Sequence, residues 1–469
     1  MSETTALLDR IQADPETGRA IPDAATGETI GYVPKQTADD VDAAVARAQA
    51  AQPAWDALGH EGRRAALLAA ADAIDAHAEE LATILSREQG KPLNGPNARF
   101  EVGACSTWLR DAATTELETE VLVDDGETYA EMSYQALGVV AAIGPWNWPM
   151  MIGMWQSAPS LRMGNTVVAK PSSSTPLSVL ALIDVMNQAL PADVLIPVVT
   201  NGAGGGHLAA HPDVAKVMFT GSTETGRRIA ESAGGNLARL TLELGGNDAG
   251  IVLPDVDPQA IAEDLFWGAF INTGQTCAAL KRLYVHEDVY DDVVDAVAAV
   301  ARQVPMGNGL DEGNVLGPVQ NAAQFEIVQE LVEDAKARGA RIVVGGEAAP
   351  ELGANFFQTT IVAEVADGYR IVDEEQFGPA LPIIRYSDID EAVASANRLD
   401  VGLGGSVWSG DREKAREIAK RLRAGTVWIN QHGTLHPKVP FGGVKQSGYG
   451  LEFSVAGLKS VSEPRVING

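Results

Sequence analysis

The first part of the chain carries apolar side chains at helical spacing. Thr37–Asp40 is typical of a capping box with Asp in place of Glu, and four apolar residues behind it share one helical face: Val41, Ala44, Val45 and Ala48. An Ala-rich stretch over residues 61–89 has the same periodicity and ends at Gly90, which predicts one long second helix. We expect both helices to serve packing rather than chemistry.

From Met132 onward the pattern changes to short β-branched runs that alternate with helical stretches. Four such runs lie in the segments 138–147, 166–176, 195–206 and 216–230. This alternation predicts an α/β fold with a parallel sheet, whose ligands bind at the carboxyl ends of the strands. A second alternating block follows Leu244 and predicts a second α/β domain.

Two segments lie outside both blocks. Residues 116–137 are strand-like and polar, and the tail from Gly450 contains the strand-like run VSEPRVI. Both fit an arm that pairs with another subunit, and a plain surface hairpin fits the pattern as well.

Composition and charge narrow the class of protein. The chain has 469 residues, enough for two or three domains, and its 63 acidic and 35 basic residues give a formal charge of −28. This charge disfavours nucleic acid and anionic membranes as partners, and it reflects either solubility or adaptation to salt. No apolar run reaches about 20 residues. The start MSETTALLDRIQ lacks the features of a signal peptide, so we expect a cytoplasmic protein.

The two cysteines have different surroundings. Their small number excludes a disulfide scaffold and a zinc site built on several thiolates, and no metal is expected. Cys105 lies among helix-forming apolar residues, which is typical of a structural cysteine. Cys277 ends the polar segment Asn272–Cys277, where a thiol on a tight loop is a candidate nucleophile. A buried, purely structural thiol is the alternative for Cys277.

A nucleophilic thiol needs a base and a donor for the oxyanion. Glu243 is flanked by two leucines and followed by two glycines, a setting in which desolvation raises the pKa of a carboxyl group. Glu375, just before a Gly-Pro turn, is a second candidate base or a solvated turn residue. Asn147 follows a buried strand and is either a turn former or an amide donor.

Two further features suit an anionic cofactor. Lys170 ends a strand on the expected ligand side, and Gly221–Thr223 precedes a helix whose backbone N–H groups can hold a pyrophosphate. The glycines at 202–206 do not match the dinucleotide-binding fingerprint, which requires G-x-G-x-x-G directly at the start of a helix.

Seven motifs occur in order along nearly the whole chain: PWNWP, KPSSSTP, FTGSTETG, LELGGN, GQTC, EEQFGP and PFGGVKQSG. Together they resemble the aldehyde dehydrogenase superfamily in its NAD(P)-dependent, non-phosphorylating form. The resemblance implies two Rossmann-like parallel-sheet domains and a β-arm for assembly into a homodimer or homotetramer. It assigns residues 1–115 and 138–246 to a cofactor-binding domain, 247–449 to a catalytic domain, and 116–137 with 450–469 to the arm.

Four residues have catalytic roles by this resemblance. Cys277 attacks the aldehyde to form a thiohemiacetal, whose oxyanion accepts hydrogen bonds from the Asn147 amide and the backbone N–H of Cys277. Hydride transfer to the nicotinamide leaves a thioester. Glu243 activates the water that hydrolyses it, and Glu452 relays the proton. The presence of a base at position 243 favours water over coenzyme A as the acceptor.

The resemblance also places NAD or NADP against eight residues: Trp146, Lys170, Ser173, Gly221, Ser222, Gly245, Glu375 and Phe377. Many NAD-preferring relatives have Glu at the position of Ser173, so NADP is tolerable here and the choice stays open. The Gly-rich segment before His211 looks shorter than in relatives. Gln156 replaces a Lys, which leaves the route of the proton relay open.

By the same resemblance, seven residues line the substrate pocket: Trp148, Met151, Ile152, Trp155, Leu435, His436 and Phe441. They predict a wide apolar tunnel for an aliphatic or aromatic aldehyde. His432, His436 and Lys438 either bring positive charge to its mouth, to steer the carboxylate of a semialdehyde such as succinate semialdehyde, or are solvated loop residues.

Three alternatives to a broad aldehyde oxidiser follow from the same residues. A dedicated semialdehyde dehydrogenase would use the basic residues at the mouth. A non-catalytic protein on this fold would be favoured by loss of Cys277, Asn147 or Glu243, and all three are present. A thiol esterase would use Cys277 without redox chemistry.

Overall fold

Helices and short strands alternate along most of the chain. The computed structural model describes the backbone of residues 3–469 and the side chains from residue 6 onward. Its α-helices are α1 (Glu3–Ile11), α2 (Ala38–Ala57), α3 (Gly59–Ala76), α4 (Ala78–Gln89), α5 (Ala98–Thr114), α6 (Pro149–Arg162), α7 (Pro176–Met186), α8 (Gly202–Ala210), α9 (Thr223–Ala233), α10 (Pro258–Phe270), α11 (Tyr290–Ala301), α12 (Ala322–Ala337), α13 (Arg370–Asp373), α14 (Ile389–Asn397), α15 (Arg412–Ala419) and α16 (Ser454–Ser460).

The strands are β1 (Arg19–Pro22), β2 (Thr29–Val33), β3 (Glu120–Asp124), β4 (Tyr129–Ala136), β5 (Val139–Ile143), β6 (Thr166–Lys170), β7 (Leu195–Pro197), β8 (Val214–Thr220), β9 (Arg239–Glu243), β10 (Asp248–Val252), β11 (Leu280–His286), β12 (Arg341–Val344), β13 (Thr360–Val365), β14 (Ala380–Tyr386), β15 (Val401–Gly402), β16 (Gly404–Trp408), β17 (Thr426–Ile429), β18 (Val444–Lys445), β19 (Gly448–Tyr449) and β20 (Ser462–Asn468). No helix among residues 3–469 is long and apolar enough to cross a bilayer.

The first alternating block forms a sheet in the order β19-β9-β8-β5-β6-β7. Its strands are parallel except β19, which pairs antiparallel with β9. Along β5, Val139, Ala141 and Ile143 pack into one core while Val140 and Ala142 pack into another. Both faces of the sheet are therefore covered, as is usual for parallel sheets, and the predicted α/β fold is confirmed.

The second block forms a sheet in the order β12-β13-β14-β11-β10-β16-β17, in which only β12 pairs antiparallel. Separate apolar cores cover its two faces. The predicted second parallel sheet is present, and it includes two buried strands that the sequence analysis did not predict, β13 and β14.

The predicted arm is a three-stranded sheet in the order β20-β4-β3. The tail strand pairs within its own chain, from Ser462 opposite Ala136 to Asn468 opposite Ala130. Pairing of the arm with another subunit, in a dimer or a tetramer, stays a prediction. Its outer strands expose several apolar side chains that such pairing would bury: Val121, Leu122, Val123, Val466 and Ile467.

Residues 61–89 form two helices rather than the single one predicted. Between α3 and α4, His77 has φ −110° and ψ 16°, and its ring nitrogen Nδ1 lies 3.0 Å from Glu80 Oε1 in the first turn of α4. Ile74 and Leu81 are both buried, so the apolar stripe continues in phase across the break and hides it from a periodicity argument. Gly90 ends α4 in the left-handed conformation, as predicted.

Two other segments differ from their predicted extent. The expected strand segment 195–206 is the short strand β7 followed by helix α8, which Asn201 caps by accepting from the Gly204 N–H at 3.1 Å. Residues 448–449, assigned to the catalytic domain, form β19 in the first sheet, where Gly448 pairs with Glu243. The capping box at Thr37 and Asp40 is confirmed.

Candidate active site

The first sheet brings several motifs to one edge. Ile143 at the end of β5 lies beside Lys170 and Phe219, and Thr220 lies beside Glu243. The turns that follow these strands line one cleft of about 480 Å³, at the carboxyl ends where parallel sheets bind their ligands.

Cys277 lies where this cleft meets a second cavity. Its side chain is half-buried and lines both the cleft and an apolar cavity of about 430 Å³. The loop before it holds Asn272 and Thr273 in the left-handed conformation, with φ 51° and 57°. At Gly274 a Cβ would stand 2.2 Å from the carbonyl oxygen of Gly378, so only glycine fits. Backbone strain of this kind is characteristic of functional sites.

The surroundings of Cys277 favour the neutral thiol. Burial, together with nearby carboxylates such as Glu243, raises the pKa of Cys277 to about 12, against the opposing effect of the Lys281 ammonium. Formation of a thiolate at this position would therefore require a base that takes the thiol proton.

Asn147 is held by hydrogen bonds of both its side chain and its backbone. Its amide Nδ2 donates to the carbonyl oxygen of Gln275 at 3.0 Å, and its backbone carbonyl accepts from Asn272 Nδ2 and Lys91 Nζ, each at 2.8 Å. Because an amide nitrogen carries two N–H groups, the bond to Gln275 leaves the other for a ligand in the cleft, which Asn147 and Cys277 both line.

The lysine that donates to the Asn147 carbonyl belongs to a buried ion pair. Lys91 Nζ lies 2.5 Å from Glu101 Oε2, and both side chains are fully buried. The other Glu101 oxygen accepts from the backbone N–H groups of Met150 and Met151 at 2.9 and 3.1 Å, in the first turn of α6. Lys91 also lies 3.5 Å above the ring of Trp148.

Two buried carboxyl groups, Glu243 and Glu452, interact with each other. Burial and the Glu452 carboxylate raise the pKa of Glu243 well above its ordinary value. Burial also raises the pKa of Glu452 to about 8, although the Lys216 ammonium opposes this. Lys216 Nζ donates to Thr241 Oγ1 at 2.8 Å. Gln156, which stands where many relatives have a lysine, donates to Thr220 Oγ1 at 3.1 Å and carries no charge. The buried cation that acts on Glu452 is Lys216.

All eight residues expected to contact the cofactor line the cleft. Ser222 caps helix α9 by accepting from the Thr225 N–H at 3.3 Å, which leaves the N–H groups of Thr223 and Glu224 for a pyrophosphate. Burial lowers the pKa of Lys170 to about 8. At Gly245 a Cβ would stand 2.6 Å from Glu375 Oε2, and at Gly205 3.0 Å from Lys170 Cε. A helix N-terminus, a lysine and a carboxylate that can accept from ribose hydroxyls fit a nicotinamide dinucleotide.

The apolar cavity lies on the other side of Cys277. Six of the seven predicted pocket residues line it: Trp148, Met151, Ile152, Trp155, Leu435 and Phe441. Aromatic side chains that the sequence analysis did not assign to the pocket complete the wall: Phe100, Trp108 and Trp267. Phe100 and Trp108 belong to α5 and lie eight residues apart, so they share one helical face.

Comparison with known proteins gives the family. The model described as aldehyde dehydrogenase family matches residues 11–467. This chain belongs to the aldehyde dehydrogenase family. Phenylacetaldehyde dehydrogenase of Pseudomonas fluorescens is 41% identical over 455 residues, which cover 94% of this chain and 90% of that relative. Geranial dehydrogenase of Castellaniella defragrans is 40% identical over 434 residues, covering 92% and 90%.

Solved structures agree with the family. The crystal structure of an NADP-dependent enzyme of E. coli superposes with a TM-score of 0.94 at 34% identity, covering 98% of this chain and 96% of that one. The chain is thus an aldehyde dehydrogenase, an enzyme that oxidises aldehydes with NAD(P), and the non-catalytic alternative is set aside.

Two histidines of this aldehyde dehydrogenase lie elsewhere than expected. His436 is exposed and lies outside the lining of the cavity, where its Nδ1 accepts from the Lys438 N–H at 3.1 Å. The side chain of His432 is buried in the lining of the cavity rather than at its mouth: Nδ1 lies 2.9 Å from Ser406 Oγ and Nε2 lies 3.6 Å from Asp248 Oδ2. Neither histidine therefore lies at the mouth of the cavity, where the sequence analysis expected a substrate carboxylate to meet it.

Three buried lysines near the site escaped the sequence analysis: Lys91, Lys216 and Lys281. Their signal in the sequence is a charged residue inside an apolar run, as in VAKVMFT and LKRLYVH. A lysine in such a run needs acceptors in the fold, because an unpaired buried ammonium is strongly destabilising.

Proposed function

We propose that this aldehyde dehydrogenase oxidises apolar aldehydes to carboxylic acids through a thioester on Cys277 that water hydrolyses. The observation that carries the proposal is the position of the thiol between a cavity walled by aromatic side chains and a polar cleft suited to a dinucleotide. The relatives named above are described as acting on phenylacetaldehyde and geranial, both of them apolar aldehydes.

The residues at the junction suit the bond changes of this reaction. Water at the junction takes the proton of the Cys277 thiol, the sulfur bonds to the aldehyde carbon, and the oxyanion accepts hydrogen bonds from the Asn147 amide and the Cys277 N–H. A bound oxidised nicotinamide supplies the acceptor for the hydride that leaves this carbon. Glu243 then takes a proton from water, whose oxygen displaces the sulfur. Its raised pKa suits it to carry this proton, which it passes on to the buried carboxylate of Glu452.

The substrate class is tested with a matched pair of aldehydes. Butanal and succinate semialdehyde share a four-carbon chain and differ by the carboxylate. We expect kcat/KM for butanal to be about tenfold to a hundredfold higher, because a carboxylate in the aromatic cavity loses hydration without a cationic partner. Phenylacetaldehyde and geranial should exceed both. A preference for the semialdehyde would overturn the apolar assignment.

We further propose that NADP serves at least as well as NAD. Ser173 borders both the cleft and an adjoining cavity of about 700 Å³, which Arg19 and Lys35 also line. The Arg19 guanidinium donates to the Ser173 carbonyl oxygen at 2.7 Å, which places a cation beside the loop. A cation attracts a 2′-phosphate, and Ser173 brings no charge that would repel one.

The cofactor proposal predicts the effect of Ser173→Glu. The new carboxylate should lower kcat/KM for NADP by roughly tenfold or more, through like-charge repulsion of about 1–2 kcal/mol, and leave NAD within about twofold. The measurement is initial rates of reduced-cofactor formation with each dinucleotide. Ser174→Glu adds the same charge to the same loop outside both cavities and should change neither rate. An unchanged NADP rate in Ser173→Glu would remove position 173 from cofactor choice.

A further inference from the structure

Lys281, at the start of β11, is a buried cation that the proposed reaction does not use. Its side chain is only 3% exposed. Nζ donates to the carbonyl oxygen of Thr276 at 2.8 Å and to that of Cys277 at 2.5 Å, and it lies 3.1 Å from Glu375 Oε1. An ammonium carries three N–H donors, so the two carbonyls take two of them and the third remains on the side of the Glu375 carboxylate.

The first of these contacts acts on the peptide group that carries an expected oxyanion donor. The carbonyl of Thr276 and the N–H of Cys277 belong to one peptide plane and, in a trans peptide, point in opposite directions. A charged hydrogen bond at the oxygen polarises the group and makes its N–H a stronger donor. The same ammonium also holds the Cys277 carbonyl, so both peptide planes that flank the cysteine are fixed in orientation.

We propose that Lys281 is a positioning residue that orients and polarises the Thr276–Cys277 peptide group and thereby preorganises the oxyanion hole. The proposal rests on the proposed function, since it requires an oxyanion to form beside Cys277. Glu375 completes the arrangement from the cleft side, where it balances the charge of Lys281 and keeps the ammonium directed at the loop.

A lysine that only stabilised the conformation of the loop would make the same contacts, so the test needs a matched control. Lys445 provides it: Nζ donates to the backbone carbonyls of Asn397, Leu399 and Val401 at 2.8–3.4 Å, away from the cysteine loop. Lys281→Met and Lys445→Met each remove one ammonium held by backbone carbonyls. Both should lower the melting temperature.

We expect only Lys281→Met to slow the first turnover. In rapid-mixing experiments at saturating aldehyde and cofactor, the rate of the first equivalent of NAD(P)H should fall about tenfold or more, toward the loss seen when an oxyanion donor is removed. The KM for cofactor should stay within about twofold. Lys445→Met should keep the wild-type first-turnover rate. Lys281→Gln, which retains a donor without the charge, should recover part of the rate.

Several outcomes would overturn the proposal. One is an unchanged first turnover in Lys281→Met. Another is a loss that higher cofactor concentration abolishes, because the lysine would then act through Glu375 on cofactor binding. If Lys281→Met does not fold, the same comparisons are made with Lys281→Gln, and a wild-type rate in that variant counts against the proposal.

A further measurement separates this proposal from the proposed function. If the wild-type enzyme oxidised no aldehyde, the proposed function would fail, and Lys281 would be tested by alkylation of Cys277 with iodoacetamide at fixed pH. Because the ammonium lowers the pKa of Cys277, Lys281→Met should react more slowly than wild type and Lys445→Met. Equal alkylation rates in all three proteins would overturn the role of Lys281.

Discussion

Cys277→Ala should abolish aldehyde oxidation, with kcat at least about a thousandfold lower, because no other group at the junction of the two cavities can form the covalent intermediate. The fold and the affinity for cofactor should be unchanged, since Cys277 is half-buried on a loop and contributes little to either core. Steady-state formation of NAD(P)H measures the first effect, and thermal unfolding and cofactor titration measure the second.

Cys105→Ala is the matched control. Cys105 is fully buried in α5, and burial holds the pKa of its thiol well above the ordinary value, so it stays an inert thiol. Its loss should lower stability by about 1 kcal/mol and leave turnover intact. Turnover above background in Cys277→Ala would refute the covalent mechanism, and loss of activity in Cys105→Ala would show that the thiol assignment is incomplete.

Glu243→Gln should form the thioester and then stall. Rapid mixing should show one equivalent of NAD(P)H per active site, followed by a steady state about 10²- to 10⁴-fold slower than wild type, because an amide cannot take a proton from water. The wild-type deacylation rate should rise with pH on the alkaline side. Glu243 acts as a carboxylate, and its raised pKa means that this form accumulates only at higher pH. The variant should lose this rise.

Glu88→Gln is the control for the loss of a buried carboxylate. Glu88 is fully buried and accepts from the N–H groups of Leu177 and Ser178, at the start of α7 and outside both cavities. This variant should alter stability and keep both the burst and the wild-type steady state. A normal steady state in Glu243→Gln would exclude Glu243 as the base that takes a proton from water in deacylation. A missing burst would show that Glu243 is needed before the thioester forms.

Local patterns in the sequence were sufficient for the fold and for the central site residues. Runs of β-branched residues ending in Gly, Pro, Ser or Asn mark the strands β5, β6 and β8 and the turns after them, and parallel pairing then brings those turns to one edge. The polar neighbours of Cys277 already distinguished it from Cys105 in the sequence. The two leucines and two glycines around Glu243 distinguished it from other carboxylates of the chain.

The tertiary structure alone decided which distant side chains meet. Lys91 and Asn147 are 56 positions apart, and their contact depends on how α5 packs against α6. His432 and His436 have similar loop neighbours, yet one is buried against Asp248 and the other is exposed. The sequence by itself determined the elements, their order and the reactive groups, because backbone preference and burial period are local properties. The partners of the buried charges and the wall of the cavity were decided only by packing, because desolvation and hydrogen bonding depend on groups that the chain brings together from far apart.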